Sequence, residues 1–112
     1  MGAIDTFTED ALKLALDTAR QSASDTWTRI SRTSPQHLRM YLRELAEIAM
    51  ALQAGKISRA EAESFVRVAR ITLCQAIVYT SQATLVEVQD FINGLLDALK
   101  GAINRALPVA LL

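Results

Sequence analysis

One histidine, one cysteine and twelve carboxylates are the groups with which this 112-residue chain could do chemistry. General acid–base work needs a base held against a partner that orients it. His37 opens a predicted helix on a solvated turn, and nothing near it in sequence is arranged as that partner. A nucleophilic thiol needs an electropositive, partly open setting. Cys74 instead falls between Ile71 and Val78, where a thiol behaves as a small hydrophobe. Glu61 and Glu63 sit two apart and point to different sides of a helix, where they complement its N-terminal dipole. Asp90 and Asp97 belong to a solvated face. One cysteine excludes both a disulfide framework and a cysteine zinc site. No Gly-rich phosphate loop, HExxH or GxSxG pattern occurs. The chain is expected to be non-enzymatic, with no cofactor and no small-molecule substrate.

Arginine offers a second kind of chemistry. Arg29, Arg32, Arg39 and Arg43 fall in a stretch free of acids, and Arg67 and Arg70 follow on a later helix. These six are the candidate phosphate contacts of a nucleic-acid-associated scaffold. Residues 1–28 are net acidic and residues 29–70 net basic, so pairing between the two segments competes with that reading. A helix-turn-helix reader is disfavoured, because the helix in the recognition position opens with Glu61 and Glu63. Overall the charges cancel, so no global field selects an anionic partner.

The elements that must carry these residues are helices. Apolar residues make up 51% of the chain, mostly good helix formers, while Gly (4) and Pro (2) are scarce. Residues 1–112 are read as one all-α domain, an antiparallel bundle of about four helices over 6–31, 35–54, 58–80 and 84–107. The first is marked by a capping box at Thr6-Phe7-Thr8-Glu9 and a stripe of Leu12, Leu16, Ala19, Ala23, Trp27 and Ile30. Ser34-Pro35 starts the second, with Ser34 as cap, and Gly55 closes it in the left-handed conformation. Ser58–Glu61 and Thr84–Glu87 are further capping boxes. No Gly or Pro separates helices three and four, which leaves a continuous helix open.

Helix three carries the strongest expectation about behaviour. Its main stripe reads Ala62, Phe65, Val66, Ala69, Leu73, Ala76 and Ile77, and beyond residue 70 its other side turns apolar through Ile71, Cys74 and Val78. A helix apolar all round is buried all round. A second copy packed on Ile71, Cys74 and Val78 resolves this, joined by Leu107, Val109, Leu111 and Leu112 of an apolar tail after Pro108. The chain is therefore expected to be a homo-oligomer or one subunit of a protein assembly. The fourth helix is widely amphipathic, which offers membrane-surface association as the alternative. No basic region followed by an apolar run marks a secretory signal, and a cytoplasmic location, or a particle assembled there, is expected.

Two resemblances accompany these readings. The run Gly55-Lys56-Ile57-Ser58-Arg59-Ala60-Glu61-Ala62-Glu63 resembles short bacterial helix–turn–helix modules of the G-x-I-T-x-x-E-F-E type, with Ala62 where they carry an aromatic. That implies an association or tethering piece. In general character, small, neutral and Ala/Leu-rich, the chain is similar to minor structural proteins of phage particles and secretion assemblies, which implies a virion-type structural subunit.

Overall fold

Side-chain caps set three of the five helix starts. The computed structural model describes residues 2–112, with Met1 outside the described residues, and contains five helices and no strands. They are α1 (Ala3–Gln21), α2 (Asp25–Ile30), α3 (Ser34–Gln53), α4 (Arg59–Thr80) and α5 (Leu85–Ala106). At α4 the expected capping box is complete: the Glu61 N–H donates to Ser58 Oγ and the Ser58 N–H to Glu61 Oε1. At α5 Thr84 Oγ1 accepts from the Glu87 N–H. The Glu87 carboxylate does not return to the cap backbone; it accepts from the Thr84 hydroxyl and pairs with Arg29. Residues 81–84 are not helical, so α4 and α5 are separate.

The turn at Gly55 closes as the sequence requires. Gly55 has φ +74°, its N–H donates to Leu52 O, and the Lys56 N–H reaches Ala51 O. This is the paired 5→2 and 6→1 closure of a Schellman motif, and Ile57 folds back against the core.

The first expected helix is two. The chain leaves α1 after Gln21 and passes through Ala23 at φ +51°, an unusual conformation for a residue with a Cβ. Ser24 then caps α2 by accepting from the N–H groups of Thr26 and Trp27. The bend swings Trp27 onto Phe91 of α5, their rings stacked with centroids 5.8 Å apart. Ala23 is consequently exposed rather than part of a buried stripe. The start of α1 also differs from expectation: the helix begins at Ala3, and Thr6 lies inside it with its hydroxyl donating to Gly2 O. At α3 the cap position falls on Thr33, one residue before the expected Ser34, whose buried hydroxyl has no partner.

The principal packings are α1 on α3, α3 on α4, and α5 against α4, α1 and α2. Ile30, Leu38, Leu42, Leu45, Ile77 and Ile92 are among the most deeply buried side chains. Small residues let α4 approach its neighbours: Ala62 and Ala69 lie in the contact, alternating with Val66, Leu73 and Ile77.

Candidate association surface

The structure divides the expected interface residues. Ile71 is 50% exposed, whereas Cys74 is 4% exposed and covered by the chain itself. Val78 is half-buried against the same core. Helix α4 is therefore not apolar all round in the sense expected: part of the side assigned to a second copy is spent within the fold. Burial pushes the Cys74 thiol above its usual pKa, and the nearby Arg70 guanidinium offsets this only in part.

The apolar tail is likewise accounted for within the chain. Leu107 and Leu111 are buried, and Val109 and Leu112 are half-buried against the core. Asn104 holds the tail by its carboxamide: Oδ1 accepts from the N–H groups of Leu111 and Leu112, and Nδ2 donates to Leu112 O. Arg59 Nη1 donates to Ala110 O at 2.7 Å. A side-chain amide recognising extended backbone at this distance in sequence leaves no periodic signal.

What remains outside on α4 is a second stripe that sequence reasoning missed. Glu61, Phe65, Val68, Thr72, Gln75 and Tyr79 are all exposed and follow one another at spacings of four, three, four, three and four. That is heptad spacing, which keeps side chains on one narrow seam of a helix. Phe65 is 47% exposed, Val68 59% and Tyr79 91%. Phe65, expected on the inward stripe with Ala69, lies outside it. Ile71 widens the seam on one flank. Met40 of α3, also exposed, lines a groove with Thr72, and Leu85 of α5 lines another with Ile71 and Gln75. Among these residues Glu61 is the one that carries a charge.

The arginines are largely engaged. Arg39 makes a two-point contact with Glu9 of α1, at 3.0 and 3.2 Å, and Arg43 meets Asp5 at 3.2 Å. Arg29 pairs with Glu87, and Arg70 donates to Asn93 Oδ1 at 3.2 Å. Arg32 and Arg67 are exposed. The acidic first helix thus takes up Arg39 and Arg43 of the basic segment.

Sites for chemistry are sparse. Among the described residues no group of three His, Cys, Asp or Glu could hold a metal. His37 Nε2 lies 3.2 Å from Thr80 Oγ1, a contact that ties the start of α3 to the end of α4. A cavity of about 430 Å³ between α1 and α5 is lined by Phe7, Leu14, Ile103 and alanines, with Thr6 and Asp10 as its polar members. The apolar arc of α5 (Val88, Ile92, Leu95, Leu96, Leu99, Ile103) is buried in the core, and no described helix is long and apolar enough to cross a membrane. In comparisons with protein-family models, curated proteins and solved structures, the chain matches none.

Proposed function

We propose that this chain is a non-enzymatic assembly subunit that self-associates through the outer face of α4. The observation that carries the reading is the heptad-spaced, almost uncharged seam from Glu61 to Tyr79, exposed along the helix. In this reading the helices form an antiparallel bundle whose inner contacts hold the fold and whose fourth helix presents the association face. Apolar side chains left in water forgo roughly 1.5–3 kcal/mol each relative to full burial. Half-exposed Phe65, Val68 and Ile71 together supply a driving force of a few kcal/mol for covering them. The proposed interface excludes Cys74, Leu107 and Leu111, which the chain itself covers, and the half-buried Val109 and Leu112.

Membrane binding through α5 and nucleic-acid binding through the arginines gain no comparable support. The first needs an apolar arc that is already buried, and for the second Arg29, Arg39 and Arg43 are already paired with carboxylates.

Size-exclusion chromatography with light scattering tests the proposal on the native chain and on the Val68→Asp, Ile71→Asp double variant. The native chain is expected to form a discrete multimer insensitive to salt, because the contact is apolar. The variant is expected to be a monomer with unchanged helicity, since both side chains project from the surface. A native chain that stays monomeric across the concentration range defeats the proposal, as does a double variant that still assembles.

A further inference from the structure

Arg70 differs from the other arginines of the chain. They are all exposed, and Arg29, Arg39 and Arg43 have carboxylates against them. Arg70 is half-buried and takes part in no ion pair among the described residues. A guanidinium carries several N–H donors and does not give up its proton. One of them, on Nη1, reaches Asn93 Oδ1 of α5 at 3.2 Å. Beside it stands the buried Tyr41 hydroxyl, itself without a hydrogen-bond partner. Drawing a cation out of water without a counter-charge is unfavourable. The most buried arginine of the fold is thus left without the carboxylate that its exposed counterparts have.

Arg70 also borders a cavity. About 190 Å³ lies between α4 and α5, where Gln75, Gln89 and Asn93 contribute carboxamides and Ile71 and Leu85 contribute apolar side chains. Arg70 is its one charged member. Asn93 gives its oxygen to Arg70, which leaves its amide N–H groups to donate. The acids of the surrounding elements do not supply the missing charge. Glu63 lines a neighbouring cavity with Arg67 and Arg70, but stands 3.6 Å from Arg59. Glu44 lines a groove between α3 and α4 with His37 and Met40. Neither of these, nor Asp90 or Asp97 of α5, forms an ion pair with Arg70.

We propose that this cavity binds a small monocarboxylate with a short aliphatic tail, its carboxylate on Arg70 and the Asn93 amide and its tail against Ile71 and Leu85. The planar guanidinium fork matches a carboxylate through two parallel hydrogen bonds. One cation answers one negative charge, whereas a phosphate dianion calls for more than Arg70 supplies. Ile71 and Leu85, 50% and 43% exposed, gain cover from an aliphatic tail and nothing from a bare inorganic anion. Pockets for drug-sized ligands begin at roughly 300 Å³, so the smaller volume here selects a tail of a few carbons. The site stands on the α4–α5 contact and is independent of the self-association reading, although Ile71 and Gln75 border both surfaces.

The test follows proton–nitrogen correlation spectra of the full chain during titration with sodium hexanoate, sodium acetate and sodium phosphate, each against sodium chloride at equal ionic strength. Hexanoate is expected to shift the Arg70 Nε–H and the Asn93 side-chain amide together and saturably. Acetate should bind more weakly, by up to about fourfold for each methylene that Ile71 and Leu85 cover. Arg70→Gln should weaken hexanoate binding by about tenfold or more, while Arg67→Gln, in the neighbouring cavity, keeps it. Leu85→Ser, at an exposed position, should narrow the gap between hexanoate and acetate and leave acetate binding in place. Should Arg70→Gln fail to fold by circular dichroism, Leu85→Ser and the native spectra carry the test. Phosphate that binds as tightly as hexanoate overturns the choice of ligand. Shifts that are absent, unsaturable or scattered over the surface overturn the site, as does a response that survives in Arg70→Gln.

Discussion

The two faces of α4 carry apolar side chains of different kinds. The inner face alternates alanine with branched residues (Ala62, Val66, Ala69, Leu73, Ile77), which brings α4 close to its neighbours at high packing density. The outer face carries Phe65, Val68 and Tyr79, spaced as a heptad and interrupted by Thr72 and Gln75. Small residues suit a contact that is permanent within one chain. Larger side chains with polar layers between them suit a contact that forms and dissolves, because the exposed state must remain soluble. Burial separates the two faces, and mutation should separate them further.

The largest effect belongs to the inner face. Leu73 is buried among α4's core contacts, so Leu73→Ala loses both transfer free energy and packing and should cost about 2–5 kcal/mol in urea denaturation. Phe65→Ala removes a larger side chain from the outer face, yet should cost less than about 1 kcal/mol at concentrations where the chain is monomeric. At association concentrations the order changes: Phe65→Ala should weaken assembly while Leu73→Ala acts on folding alone. Equal stability losses for the two variants would remove the distinction between the faces.

A second contrast is pH. Beneath the inner face lie two weak acids held neutral: burial raises the pKa of Cys74, and burial also raises that of Tyr41, with Arg70 opposing the rise in both. A raised folded-state pKa means that the unfolded chain loses its proton first. The stabilisation is therefore complete below the unfolded values and is lost as pH climbs through them towards the folded ones. Stability should fall from about pH 8.5, where an unfolded thiol ionises, and more steeply from about pH 10 with the phenol. Cys74→Ala should remove the earlier part of the decline. A urea midpoint that is flat between pH 8 and pH 10.5 would show that neither group is held neutral by the fold.

Local chemistry made much of this fold legible. The cap at Ser58, the αL glycine at Gly55 and the hydroxyl at Thr84 each act through neighbours within a few residues, so the ends of α3, α4 and α5 could be read directly. The break at residues 22–24 could not. It lacks Gly and Pro, it places an alanine in an unfavourable conformation, and its reward, Trp27 stacked on Phe91, lies far along the chain. The outer seam was hidden for a related reason. Phe65 borders the inner stripe on a helical wheel, and the placement of α3 and α5, which no single helix encodes, decides which edge is covered. The same holds for Cys74 and for the tail, whose partners are supplied by other helices or by Asn104. Arginine pairing was foreseeable as a competition between acidic and basic segments, but not residue by residue.

The smallest predicted effect concerns one of the buried polar atoms that the packing leaves unmatched. Tyr41 is buried, and its hydroxyl lies beside the Arg70 guanidinium without a hydrogen bond of good geometry to it or to any other group. A buried hydroxyl without a partner loses its hydration and recovers nothing. Tyr41→Phe keeps the ring and removes that cost, so it should be neutral or stabilising by up to about 1 kcal/mol at pH 7. Its advantage should widen above pH 10, where the native phenol begins to ionise in the unfolded chain. If Tyr41→Phe instead destabilises the fold by more than about 1 kcal/mol, the hydroxyl is bonded to Arg70 in solution. The inner face would then hold a polar link between α3 and α4 as well as its apolar contacts.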